Sequence, residues 1–219
     1  MEHNRDISFT KSDFWRAFAA GAIIALFAVP VLENIKIFEI AREYDPTVLR
    51  VALIAWFMIL PLASALGLFV FYRMALIWRP VAFEVGKYGL VGWLNTFLQI
   101  GVFNGLIWIT AITQGLAVDL FAVISFVAAA TNGFFWNKFW TFNAYGTNRG
   151  KSEYIKYFSV VGITSLLNTT FLHLMVNVVG APQGFDPKIW ANVVLATLIP
   201  ISFIGNFLGS KFFAFKKLP

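Results

Sequence analysis

Residues 134–142 and 207–215 are two copies of one motif. Each copy has Phe, Lys, Phe and Phe at its first, fifth, sixth and ninth positions. Each copy also ends a long apolar segment that follows another such segment. These preceding segments begin alike, with Lys-Tyr and then Val-Gly, at residues 87–92 and 156–162. The repeating unit is therefore a hairpin of two hydrophobic helices, and this duplication strongly constrains the topology of the second part of the chain.

Six stretches of the chain are long and apolar enough to cross a bilayer. The chain of 219 residues is 59% hydrophobic and 13% charged, which is more apolar than a soluble domain of this length. A helix that spans about 30 Å of hydrocarbon needs roughly 20 apolar residues. We therefore predict an all-α integral membrane protein with six transmembrane helices, the last four forming two parallel two-helix repeats. The predicted spans are about residues 14–32, 51–71, 88–110, 120–140, 158–179 and 189–208.

The lysines and arginines predict how these helices are oriented. They concentrate before the first span, between the second and third, after the fourth and at the end of the chain, whereas residues 111–119 contain none. By the positive-inside rule these basic regions are cytoplasmic, so we expect a multi-pass protein of the cell inner (cytoplasmic) membrane with both termini inside. Residues 33–44 mix charged and apolar side chains, and we predict that this segment lies on the outer surface of that membrane.

Several chemistries lack the residues that they require. The chain has no cysteine, which excludes disulfides, thiolate catalysis and cysteine-ligated metals. The 11 acidic residues are scattered and include no Asp-x-Asp pair, so paired-carboxylate catalysis has no candidate inside the membrane. We therefore expect no enzymatic activity, no metal and no cofactor. The net charge of +6 is distributed over helix ends rather than one soluble face, which argues against nucleic acid as a partner.

The twin motifs, with the Val-Gly openings of their hairpins, resemble the GtrA-like family of small four-helix membrane proteins. The resemblance covers about residues 83–217 and divides the chain into two parts. Residues 1–82 form an N-terminal transmembrane hairpin with an outer interfacial segment, and residues 83–219 form a GtrA-like four-helix domain with repeats of about 83–146 and 153–217. The resemblance implies a role in handling polyprenyl-phosphate-linked sugars, either as a flippase or as a membrane partner of glycosyltransferases. The first two helices have no counterpart in the family pattern.

Lys138 and Lys211 are the predicted ligands of a lipid phosphate. Each is placed at the cytoplasmic end of its helix, where a lysine lays its methylene groups along apolar surface and lifts its ammonium to the phosphate layer. Ordinary snorkelling and topology determination explain such lysines as well, so both interpretations stay open. Asn137 lies inside the first copy of the motif and Asn206 directly precedes the second, and these two residues complete the predicted lipid-phosphate-binding set.

Asparagines inside the spans predict a polar path for a sugar headgroup. An amide without a partner in hydrocarbon costs several kcal/mol, so such side chains must face other helices or a wet groove. We assign Asn95, Asn132 and Asn168 to this path together with Asn206, and we assign Trp140 to it as a stacking residue. Hydrogen bonding between helices is the alternative explanation for the same asparagines.

These features predict a protein that binds a polyprenyl-phosphate-linked sugar and assists its translocation across the cytoplasmic membrane, in cell-surface polysaccharide or glycoconjugate synthesis. The alternative is a non-transporting scaffold that recruits or stabilises a membrane-associated glycosyltransferase. Membrane lipids are expected partners. Gly-x-x-x-Gly patterns at residues 101–105 and 205–209 suit intrachain packing or a homo-oligomer equally. A channel or an ion-coupled small-solute carrier is disfavoured, because the predicted spans lack the buried acidic or basic groups that coupling ions usually require.

Overall fold

The regular elements of the computed structural model, which describes residues 7–34, 36–114, 116–145, 150–184 and 187–216, are all helices. In chain order they are α1 (Lys11–Asn34), α2 (Ile37–Tyr44), α3 (Pro46–Ile77), α4 (Val81–Thr110), α5 (Leu116–Trp136), α6 (Gly150–His173) and α7 (Pro187–Gly209). Three of these helices end in short π-helical turns. The turns are Asn137–Thr141 after α5, Leu174–Val179 after α6 and Ser210–Ala214 after α7.

Six of the described helical segments are long and apolar enough to cross a membrane, which confirms the predicted number of spans. They comprise α1, α3, α4, α5 with its π-helical turn, α6 with its turn, and the end of α7 with its turn. The predicted all-helical, multi-pass class is therefore confirmed. The arrangement as two parallel repeats and the inside position of both termini stay predictions. Residues 1–6, 146 and 217–219, on which those termini and repeat ends fall, lie outside the described residues.

The predicted interfacial segment contains the short helix α2. Ile37 and Ile40 of this helix are exposed, while Glu39 and Arg42 supply charge around them. Asp45 then starts the next helix, because its Oδ1 accepts a hydrogen bond of 2.7 Å from the backbone N–H of Thr47 and the residue between them is proline. Aspartate at the cap and proline at the first helical position are favoured helix starts. The location of α2 on a membrane surface stays a prediction.

Helices α1 to α5 and the π-helical turn that ends at Thr141 form one compact unit. In this unit α1 packs against both α3 and α4. Glycines make the approach close: a Cβ on Gly21 would lie 2.6 Å from the carbonyl oxygen of Leu60, and a Cβ on Gly101 would collide with Phe27. Small residues allow such close crossings in membranes. The first Gly-x-x-x-Gly pattern thus serves packing within the chain through Gly101.

The chain from Phe142 onward forms a second compact unit built from α6 and α7. The ring of Phe142 stacks on the ring of Phe215 with a centroid distance of 5.5 Å. Gly209 lies against α6, since a Cβ there would be 2.7 Å from Val160 Cγ1. In contrast, a Cβ on Gly205 would meet nothing within 4 Å, so only one glycine of the second pattern supports this hairpin. The domain boundary predicted between residues 82 and 83 stays a prediction.

Candidate functional site

The first copy of the motif ends α5 and holds Lys138 among aromatic rings. Its π-helical turn, Asn137–Thr141, places Lys138 Nζ 5.7 Å from the ring centroid of Phe134 and 5.6 Å from that of Phe139. Lys138 is 6% exposed, so much of its side chain is shielded from the surroundings. Rings at these distances attract the ammonium through their negative faces and restrict its position. Short π-helical segments are frequent at functional sites.

The second copy of the motif ends α7 with the same local geometry. Lys211 lies in the π-helical turn Ser210–Ala214, and its Nζ is 5.6 Å from the ring centroid of Phe207 and 5.8 Å from that of Phe212. In both copies the rings belong to the residues four before and one after the lysine. The sequence repeat therefore corresponds to a repeated local structure around each lysine.

The asparagines predicted beside these lysines have different environments. Asn137 is 2% exposed, and its Oδ1 accepts a hydrogen bond of 3.0 Å from Thr141 Oγ1. Asn206 is partly buried, and its Oδ1 is a buried acceptor without a hydrogen-bond partner in the described part of the chain. An unsatisfied buried acceptor is costly in a protein interior, and a hydrogen-bond donor from a ligand would remove that cost at Asn206 Oδ1.

Two of the residues predicted for the headgroup path contact each other in the first unit. Asn132 Nδ2 donates to Asn95 Oδ1 at 2.8 Å, and Trp136 Nε1 donates to Asn132 Oδ1 at 3.1 Å. The first bond joins α5 to α4, and the second lies within α5. In the second unit, Asn168 Nδ2 donates to Ser202 Oγ at 2.6 Å and joins α6 to α7. Each of these asparagines therefore bonds a neighbouring helix, and their role in a headgroup path stays a prediction.

Trp140, the predicted stacking residue, belongs to a buried cluster around Asp13. Its Nε1 donates to Asp13 Oδ1 at 2.8 Å, and Lys87 Nζ lies 2.6 Å from the same oxygen. The ammonium of Lys87 also lies 4.2 Å from the ring centroid of Phe83 and 5.7 Å from that of Trp140. The cluster joins α1, α4 and the first motif, and it engages the one polar atom of the Trp140 side chain. A sugar-stacking role for Trp140 stays a prediction.

Asp13 uses its second carboxylate oxygen to start its own helix. Asp13 Oδ2 accepts from the Thr10 backbone N–H at 3.1 Å and from Thr10 Oγ1 at 2.7 Å, while Thr10 Oγ1 accepts from the Asp13 N–H at 3.1 Å. This reciprocal arrangement is a capping box, in which two side chains satisfy N–H groups at the start of a helix. The cap fixes Asp13 so that Oδ1 points to Lys87 and Trp140.

The second unit contains a counterpart of the contact between Lys87 and Trp140. Lys156 on α6 opens its hairpin as Lys87 opens the first, and Lys156 Nζ lies 5.4 Å from the ring centroid of Phe213. Phe213 follows Lys211 by two residues, as Trp140 follows Lys138. Sequence reasoning recognised Lys87 and Lys156 as markers of the repeat and did not assign them a site. The sequence feature that could have indicated a site is the charge itself, because both hairpins have a lysine in the first turns of an apolar helix.

The six apolar helical segments of the described residues, each long enough to cross a bilayer, define a multi-pass membrane protein. The model of the family described as "GtrA/DPMS, transmembrane domain" matches residues 87–215, more than half of the 219 residues, so the chain belongs to this family. This match confirms the predicted resemblance. The family is linked to membrane processes that involve polyprenyl-phosphate sugars. No curated protein and no solved structure matches the chain.

Proposed function

We propose that this protein binds a polyprenyl-phosphate-linked sugar at the cytoplasmic side of the inner membrane and assists the movement of its headgroup across the bilayer. The observation that carries the proposal is the repeated geometry of Lys138 and Lys211, each held over two rings at the end of a span. Family membership supports the substrate class. In this proposal the protein performs no chemical conversion, and its two family hairpins are parallel repeats with both chain termini inside.

The physical task of such a protein is to lower the cost of moving a charged phosphate through hydrocarbon. An isolated charge at the centre of a bilayer costs on the order of 10 kcal/mol in the higher estimates. Lysine ammonium groups reduce this cost at the entry side by pairing with the phosphate. Farther along the spans, the amides of Asn95, Asn132 and Asn168 supply donors and acceptors for sugar hydroxyl groups. The polyprenyl chain stays in lipid throughout, so the helices need to form a groove rather than a closed channel.

A reconstitution experiment tests this proposal. Liposomes contain the purified protein and a radiolabelled polyprenyl-phosphoryl hexose, and membrane-impermeant periodate reports which headgroups have reached the outer leaflet. We expect protein-dependent movement for the wild type and a rate at least about tenfold lower for the double variant Lys138→Gln/Lys211→Gln, because each loses a charge-assisted contact to phosphate. The matched control is Lys151→Gln/Lys216→Gln, which removes two exposed lysines that lie outside the two motifs.

The outcomes separate transport from the scaffold alternative. An unchanged rate in the Lys138→Gln/Lys211→Gln variant would contradict the assigned role of these lysines. No protein-dependent movement in the wild type would contradict transport. Co-purification of a glycosyltransferase activity with that same inactive protein would then favour the scaffold, which the family resemblance also allows.

A further inference from the structure

The two hairpins of the family region place corresponding lysines in different electrostatic surroundings. In the first, Lys87 Nζ forms an ion pair of 2.6 Å with Asp13, a residue of α1. In the second, the contact of Lys156 Nζ is with the ring of Phe213 at 5.4 Å, and no acidic group of the described residues pairs with it. Glu153, the nearest acid in sequence, forms no ion pair with Lys156.

The aromatic partners of these two lysines also differ in polarity. Trp140 donates its indole N–H to Asp13, which adds a second donor to the carboxylate site. Phe213 occupies the corresponding position in the second motif and has no polar atom. The second hairpin therefore retains the cation and the ring, but among its described residues no carboxylate contacts Lys156 and no indole N–H stands at the position of Trp140. Its half-buried ammonium is left with a positive charge that an anion would neutralise.

The anion for Lys156 could come from a lipid phosphate or from an acidic side chain on another helix. The helix face beside Lys156 favours the lipid. Gly101 follows Lys87 by fourteen residues on α4, and its missing side chain makes room for Phe27 of α1. Thr170 follows Lys156 by fourteen residues on α6 and is exposed. A helix that crossed α6 at Thr170 would lie somewhat farther away than α1 lies from α4 at Gly101, because threonine has a side chain there and glycine has none. A flexible hydrocarbon chain adapts to such a surface.

Apolar side chains continue the same face of α6 between the lysine and the threonine. Ile163 follows Lys156 by seven residues, and Leu166 precedes Thr170 by four, which puts all of them on one side of the helix. Ile163 is 58% exposed and Leu166 is 67% exposed. A cation at the end of an exposed apolar stripe has the charge and shape that complement a lipid with a phosphate group and a long tail.

We propose that Lys156 binds the phosphate group of a polyprenyl carrier lipid, whose chain lies along the α6 face formed by Ile163, Leu166 and Thr170. The inference rests on the proposed function and narrows it. In the first hairpin the corresponding lysine, Lys87, is neutralised by Asp13. A phosphate site at this position of the repeat is therefore present only in the second hairpin. Lys156 is a binding residue in this proposal, in addition to Lys211 of the same unit.

Binding of a short carrier analogue tests the site. The full-length protein in detergent micelles is titrated with farnesyl phosphate, and bound ligand is counted by native mass spectrometry. Farnesol and inorganic phosphate are titrated in parallel to separate the tail and the phosphate. We expect farnesyl phosphate to bind the wild type more tightly than either fragment does, and Lys156→Gln to weaken this binding about tenfold or more. Lys151→Gln is the matched control on the same helix, and we expect it to bind as the wild type does.

Other results would overturn the assignment of Lys156. These are equal affinities of wild type and Lys156→Gln, equal weakening by Lys156→Gln and Lys151→Gln, or binding of farnesol as tight as that of farnesyl phosphate. Unfolding temperature is measured for each variant, so that loss of binding is interpreted only for folded protein.

The liposome assay separates this inference from the proposed function. If Lys156→Gln specifically loses binding and the wild type shows no transport, the lipid site is supported and the flippase function is contradicted. If transport is abolished by Lys138→Gln/Lys211→Gln and is intact in Lys156→Gln, the flippase function is supported and the Lys156 site is contradicted.

Discussion

Replacing Asp13 with asparagine tests whether its ion pair with Lys87 holds α1 against the family region. The two side chains are 9% and 13% exposed, and the distance from Lys87 Nζ to Asp13 Oδ1 is 2.6 Å. Asparagine keeps the size of aspartate and removes its charge, so Lys87 remains as a buried cation without a counter-ion. Losing one partner of a buried ion pair typically costs about 3–5 kcal/mol. We expect a value near the lower end, about 3 kcal/mol, because the rings of Phe83 and Trp140 still stabilise the ammonium.

The free energy of unfolding is measured in mixed micelles of dodecyl maltoside and SDS. The chain contains 8 tryptophans, so intrinsic fluorescence reports the transition without a label. In a thermal scan, a loss of about 3 kcal/mol corresponds to a decrease in unfolding temperature on the order of 10 °C for a chain of this size. Lys11→Gln is the control, because Lys11 is exposed, lies in the same turn of α1 and carries one charge.

A double-mutant cycle separates the ion pair from other effects of the substitution. Lys87→Met removes the ammonium and keeps an unbranched side chain of similar length. If the cost of Asp13→Asn comes from the stranded charge, the double variant loses much less than the sum of the two single variants, with a coupling energy of about 2 kcal/mol. Additive losses in the cycle, or a loss for Asp13→Asn no larger than that for Lys11→Gln, would refute the reasoning.

Three further variants test individual contacts by the same unfolding assay. Trp140→Phe gives the first motif the residue of the second and removes the hydrogen bond to Asp13, and we expect a loss of about 1.5–3 kcal/mol; no loss would contradict that bond. Gly101→Ala should destabilise the protein by about 1–3 kcal/mol, because the new Cβ collides with Phe27. Gly205→Ala is its control and should be neutral or stabilising by up to about 1 kcal/mol, and equal effects of the two would contradict the assigned crossing. Asn132→Leu should cost about 1 kcal/mol or more, since it breaks the bonds to Asn95 and Trp136, and an unchanged stability would show that these two bonds contribute nothing.

The number and type of the spans were predictable because hydrocarbon imposes one dominant rule. Each crossing segment must satisfy its own backbone hydrogen bonds and present apolar side chains, and both requirements leave a direct record in the sequence. The start of α3 also has a local sequence pattern, since aspartate is a preferred N-cap residue and proline is preferred at the first helical position, as at Asp45 and Pro46. The family was predictable from its repeated motif, and the match to residues 87–215 confirms it.

The cluster around Asp13 was not predictable, because its members are far apart in the chain. Asp13 and Trp140 are separated by 127 residues, and the pairing depends on how α1 crosses α4. The local pattern of Thr10 and Asp13 indicates a helix cap, which explains one carboxylate oxygen only. The partners of the other oxygen depend on how α1 packs against α4, and the sequence does not show which helix approaches α4.

The position of Asp13 relative to the family match explains why the two hairpins differ. The match begins at Lys87, so the region that it covers contains both repeated lysines, Lys87 and Lys156, and does not contain Asp13. The carboxylate comes from a helix outside that region, and Gly101 provides the space in which that helix packs. On α6, Thr170 stands fourteen residues after Lys156, where α4 has Gly101 fourteen residues after Lys87. In the proposed site, Asp13 of α1 therefore neutralises Lys87 of the first hairpin, whereas Lys156 of the second hairpin keeps its charge for the lipid phosphate.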